Sequence, residues 1–215
     1  QINGIVNEYI HLEKPDQEAI PSRQFDISKI DFELLSREFA HTRRKNLLLR
    51  DLDELVNQQL AKMLFANPQR IDYYDRYQEI IDAYNAEQNR ATIEKTFMDL
   101  MELASSLDTE QQRYVREGFS SDEELSVYDL LFSENLTKQE IETIKKVSVD
   151  LLTKIKQQIA KLDHWTDKQE TKAIVDNLIR NTLWQELPNS YDVSDIQTYQ
   201  KKIYEYVYMR YPEVA

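Results

Sequence analysis

Chemistry in a protein starts from titratable and metal-binding side chains at usable spacing, and this chain offers three histidines, no cysteine and 39 Asp and Glu residues. His11, His41 and His164 are too far apart for any two to form a zinc pair on one helical turn. Glu38 and His41 form a Glu-x-x-His pair, which lies on one helical face as helix-bundle di-iron sites require. Such a centre also draws glutamates from other helices, and spacing singles out none, so the pair reads as coincidence. Carboxylate pairs such as Asp72 with Asp75 and Glu123 with Glu124 are abundant. Acid–base work needs a carboxylate whose surroundings shift its pKa, which abundance does not identify. The residues therefore nominate no catalytic group, no cofactor-binding residue and no metal ligand.

Phosphate-cradling loops and nucleophile elbows need glycines clustered in one short stretch, so that backbone amides can approach an anion or a sharp turn can form. The chain has two glycines, Gly4 and Gly118, far apart. The same scarcity disfavours hairpins and points to an all-α fold. Without cysteine there is no disulfide framework and no thiolate chemistry, which fits a cytoplasmic protein. No apolar run approaches the roughly 20 residues that a membrane span needs, so no membrane partner is expected.

Two groups remain as candidate contacts. Arg37, Arg43, Arg44, Lys45 and Arg50 crowd one basic stretch in a chain of formal net charge -12. On one continuous helix, at about 100° per residue, they fan around the axis rather than line one face. Only a few phosphates could then be met at once, and pairing with nearby acids such as Asp51 or Asp53 is the competing use of these cations. The second group is aromatic: Tyr199, Tyr204, Tyr206, Tyr208 and Tyr211 crowd the C-terminal helix. Tyrosine suits both half-buried packing and protein interfaces, and five exceed what one buried face can take.

The elements that must position these groups follow from hydrophobic spacing. Residues 1–30 carry Pro15 and Pro21 with little period and read as a connector from something preceding; the chain opens on Gln1 and looks like a piece of a longer protein. From Asp31, apolar positions recur at helical spacing to Asn67-Pro68, which suggests one long helix bent near its polar middle. Amphipathic stripes follow through Ile71 to Tyr84 and Ile93 to Leu107. Asp108 with Gln111, Ser121 with Glu124 and Thr137 with Glu140 have capping-box spacing, the first ahead of a short helix ending at Gly118. A segment from Trp165 runs to Pro188, and a last helix from about Ser194 to Pro212. The expectation is an irregular bundle of about eight helices over residues 31–215, without a sheet. Its acidity is local: Ile71 to Glu140 holds 17 acidic against six basic residues, a net of -11.

Several runs resemble one family. They are Phe25 to Phe32, Glu38-Phe39 with Arg44-Lys45-Asn46, Asn67 through Ile81 with Tyr84-Asn85, and Arg113 to Gly118. Asp129-Leu130-Leu131, Leu136-Thr137-Lys138, Trp165 and Val207 to Pro212 complete the set. Together they resemble the C-terminal helical region of the R, or restriction, subunit of type I restriction enzymes, across roughly Phe25 to Pro212.

The resemblance implies a parent subunit that is a site-specific deoxyribonuclease with ATP-dependent translocation. ATP and Mg would belong to its preceding domains, and this part would be non-catalytic. It implies as partners the modification and specificity subunits of the methyltransferase core, the preceding motor domain of the same chain, and duplex DNA in the full complex. Three readings stay open. The region docks the motor onto the methyltransferase; or its basic stretch supports the DNA backbone during translocation; or the chain is a free-standing acidic helical regulator or DNA mimic.

Overall fold

The structure is a computed structural model that describes residues 30–87 and 89–212. The proposed connector therefore lies outside the described residues, apart from Ile30. Nine α-helices and a single 3-10 turn make up the fold, with no strand among the described residues. The expected all-α bundle is present.

Helix α1 (Phe32–His41) starts at Asp31, whose carboxylate accepts the Leu34 amide at 2.9 Å. It stops at Thr42, which is extended, and α2 (Lys45–Ala66) begins after Arg44. The single long helix expected here is thus two helices. The reason is visible in Ala40 to Asn46, where seven residues offer no large apolar side chain, so continuing the helix would bury nothing. Thr42 Oγ1 instead accepts the Arg44 amide at 3.1 Å, and the turn lets Phe39 stack on Phe97 with ring centroids 3.6 Å apart.

Asn67 ends α2. Its side chain accepts the Gln69 amide and opens the 3-10 turn Pro68–Arg70, which feeds α3 (Ile71–Ala86). Helix α4 (Arg90–Gln111) packs back against α2 and α3. Val56, Leu60, Met63, Phe97, Leu100, Leu103 and Leu107 form the centre of this first core.

Asp108 lies within α4, so Asp108 and Gln111 do not cap the next helix; α4 runs a turn further because Leu107 and Glu110 are buried on its inner face. The short α5 (Arg113–Arg116) closes at Gly118, the one described glycine, with φ +83°. The Phe119 amide donates to Tyr114 O at 2.8 Å and the Gly118 amide to Val115 O at 3.1 Å, the paired bonds that close a helix through a left-handed residue.

Four longer elements build the second core. Helix α6 (Asp122–Leu131) is capped by Ser121, and α7 (Lys138–Ile159) by the full Thr137–Glu140 box. Trp165 sits in the turn before α8 (Gln169–Glu186) rather than starting it. Helix α9 (Val193–Arg210) opens with an Asp192–Asp195 box. Leu131, Ile144, Leu151, Ile155, Val175, Ile179, Ile203 and Val207 fill the interior. Trp165 is buried among them and donates its indole N–H to Tyr211 O at 2.6 Å, pinning the end of α9.

Candidate functional site

The two cores meet across a buried polar cluster contributed by the 3-10 turn, α4, α5 and α6. Arg70 is 4% exposed. Its Nε donates to Glu110 Oε1 at 3.0 Å, and its two terminal nitrogens donate to the two Asp122 oxygens at 3.0 and 2.6 Å. This bidentate fork is the arrangement in which an arginine–carboxylate pair is strongest. Arg113 bridges onward, 3.1 Å from Glu110 and in direct contact with Asp129.

Asp129 also accepts from Asn67 Nδ2 at 2.6 Å, and the Ser126 hydroxyl donates to Ala66 O at 3.0 Å, tying α6 to the end of α2. Burial would lower the Arg70 guanidinium, but the hydrogen bonds and charges of Asp122 and Glu110 outweigh it and hold its pKa above the ordinary value. At Asp129 burial wins: the carboxyl lies above the usual aspartate range despite Arg113, Asn67 and Arg70.

These five ionic side chains occupy one another. Paired in this way across the 3-10 turn, α4, α5 and α6, they supply cohesion between the two halves. The reading of individual residues in sequence missed it. A signal was there: Asn67, Arg70, Arg113 and Asp129 all fall within the runs that carry the family resemblance, and Arg113 is one of only six bases between Ile71 and Glu140. Three of the acids that make that stretch so negative, Glu110, Asp122 and Asp129, are spent here rather than displayed.

The basic candidates are dispersed. Arg37 pairs with Glu33 at 3.2 Å on exposed α1, and Arg50 lies 3.7 Å from Asp51 on α2. Lys45 is half-buried, 2.6 Å from Glu94 and 4.9 Å from the centre of the Phe39 ring. Arg43 and Arg44 project from the bend between α1 and α2 and meet no acid among the described residues. The helical fan expected for these cations does not exist, because the helix is broken between Arg37 and Lys45.

The aromatic candidates are mostly consumed by packing. Tyr206 is buried, Tyr199 packs edge-on against Tyr191, and Tyr204 and Tyr208 bracket Trp165. Tyr211 meets Tyr206 edge-on, and of the five only Tyr208 counts as exposed. His41 Nδ1 lies 2.8 Å from the Arg37 carbonyl. A second Glu-x-x-His spacing, Glu8 with His11, falls outside the described residues. Among the described residues no group of three or more His, Asp or Glu side chains is placed to hold a metal ion. No described helix is long and apolar enough to cross a membrane.

Two helical cores joined by a buried ionic cluster define an all-α domain whose internal charge is structural. The family model described as type I restriction enzyme HindI endonuclease subunit-like, C-terminal, matches residues 17–211, and the chain belongs to that family. It is thus a C-terminal region of a type I restriction endonuclease subunit. The chain matches no curated protein and no solved structure.

Proposed function

We propose that this region joins its endonuclease subunit to the methyltransferase core formed by modification and specificity subunits. On this reading it holds an ATP-dependent, Mg-requiring DNA motor and nuclease, built by preceding domains, against that core in the cytoplasm. The observation that carries the reading is the division of labour among side chains. Buried charge is spent on cohesion, while large apolar groups such as Met98, Val115 and Trp184 face outward, each more than half exposed. Large apolar groups on the outside are surface that a partner protein can cover. The test is co-purification. A subunit lacking Phe25 to Pro212 should keep its ATPase but lose the methyltransferase core; normal assembly of that subunit overturns the reading.

A second reading has its own observation. Arg43 and Arg44 stand in an exposed bend with no acidic partner described, so they are available to phosphates. Contact with the DNA backbone in the full complex would be sequence-independent and weaken steeply with salt. The useful variant is R43A/R44A with Lys45 retained, because Lys45 packs on Phe39 and its loss would loosen α1. Slower ATP-driven translocation is the expected result, and unchanged translocation removes this role. A free-standing regulator or DNA mimic gains no support from the family match.

A further inference from the structure

Between α1 and α2 lies an open groove of about 570 Å³. Leu35, Leu48, Leu52 and Leu55 form its apolar floor, and Leu34 stands at the lip, 52% exposed. Around this floor are Asp31, Glu38, Asp51 and Glu54, and no basic side chain lines the groove among the described residues. Asp31 is committed to capping α1. Asp51 lies 3.7 Å from Arg50, which leaves the solvent-exposed Glu38 and Glu54 as the rim charges without a cationic partner among the described residues. The floor is apolar and the rim carries one sign of charge.

We propose that this groove receives a basic amphipathic helix of a partner protein, its leucine-type side chains at i, i+3, i+4 and i+7 entering the floor and its lysines meeting the rim. Helix-in-groove recognition pairs these features: apolar anchors supply affinity, and complementary charge supplies orientation and rate. Charge decides among occupants. Residues 1–29 of this chain carry five acids against three bases, and a second copy brings a formal -12, so both repeat the sign of the rim. The proposal deepens the assembly reading by naming a surface and a partner chemistry.

The experiment uses the 215-residue chain and a fluorescent amphipathic peptide of about 18 residues, leucine on one face and lysine on its flanks, with a twin carrying glutamate for lysine. Anisotropy should show the lysine peptide binding, more weakly as salt rises, and the glutamate twin failing to bind. Leu34→Asp, at a half-exposed position, should cost about tenfold in affinity, and E38K/E54K at least as much. Glu79→Lys, on the exposed face of α3, should change nothing. If L34D lowers helicity by circular dichroism, the charge-reversed pair carries the comparison.

Four results overturn the proposal: unchanged binding by E38K/E54K, unchanged binding by a folded L34D, equal binding of the glutamate twin, or displacement of the probe by a peptide of residues 1–29. Failure here is separable from failure of the assembly reading. If the whole region is needed to hold the methyltransferase core while subunits carrying E38K/E54K assemble unchanged, the groove is wrong and the assembly role stands.

Discussion

Replacing Arg70 by methionine would keep an aliphatic stem and remove the guanidinium, leaving the buried Glu110 with Arg113 alone and Asp122 without its cationic partner. Breaking a buried pair by deleting one partner costs roughly 3–5 kcal/mol, because the remaining charge stays desolvated. Arg70→Met should lower the free energy of the first urea transition by about that amount. Asp129 behaves differently with pH. Its folded pKa is raised, so its contribution is fully present below the unfolded value and fades as pH rises through the folded one. The penalty of Asp129→Asn should therefore be largest in acid and shrink toward neutral pH, read as the difference in urea midpoint between wild type and variant. Glu140 has the opposite sign: the Thr137 hydroxyl and amide hold its pKa down, and that contribution is lost as pH falls. The Arg70 cluster was not legible residue by residue in sequence, because a desolvated arginine and an exposed one have the same letter. Only the fold brings Arg70, Glu110 and Asp122 together across gaps of 40 and 52 residues.

At the scale of elements, local signals in the sequence did most of the work. Thr137 with Glu140 caps α7 as its spacing implies, and Gly118 closes α5 in the left-handed conformation. Both can be weighed. Thr137→Ala removes the cap bond to the Glu140 amide and should cost about 1 kcal/mol. At Gly118 an added Cβ meets nothing within 4 Å, so Gly118→Ala should also cost about 1 kcal/mol, from backbone strain alone. Thermal melts of the two variants check both values. The sequence misled at Asp108–Gln111, where capping spacing recurs by chance inside a helix held by the buried Leu107, and at residues 42–44. There helical periodicity is compatible with either one helix or two in register. The apolar-poor run Ala40 to Asn46 permits the break, and what fixes it is the Phe39–Phe97 stack, a contact between residues 58 apart that no local pattern encodes.

Across the whole molecule, the ionic cluster should determine whether the two cores unfold as one. Both tryptophans, Trp165 and Trp184, belong to the second half, whereas helical circular dichroism reports both halves. In the wild type the two signals should give one coincident urea transition, the signature of a cooperative unit. In Arg70→Met the fluorescence and dichroism midpoints should separate, because the shared polar joint is weakened while each apolar core is intact. Coincident curves in the variant would show that direct packing of α2 on α6 suffices to couple the halves. The all-α class and the acidic stretch were readable from composition; that three of those acids are internal mortar was not, because net charge carries no coordinates.

Helix α1 buries a single side chain, Phe39. Elements anchored so lightly open on their own, at a free energy well below that of global unfolding. Amide hydrogens in the second half of α1 should consequently exchange with deuterium through this local opening, while those of Leu100 to Leu107 in α4 wait for the whole fold. Because α1 forms one wall of the groove, an occupant would hold it closed, and slowed deuterium uptake in α1 alone would report occupancy without any label on the partner.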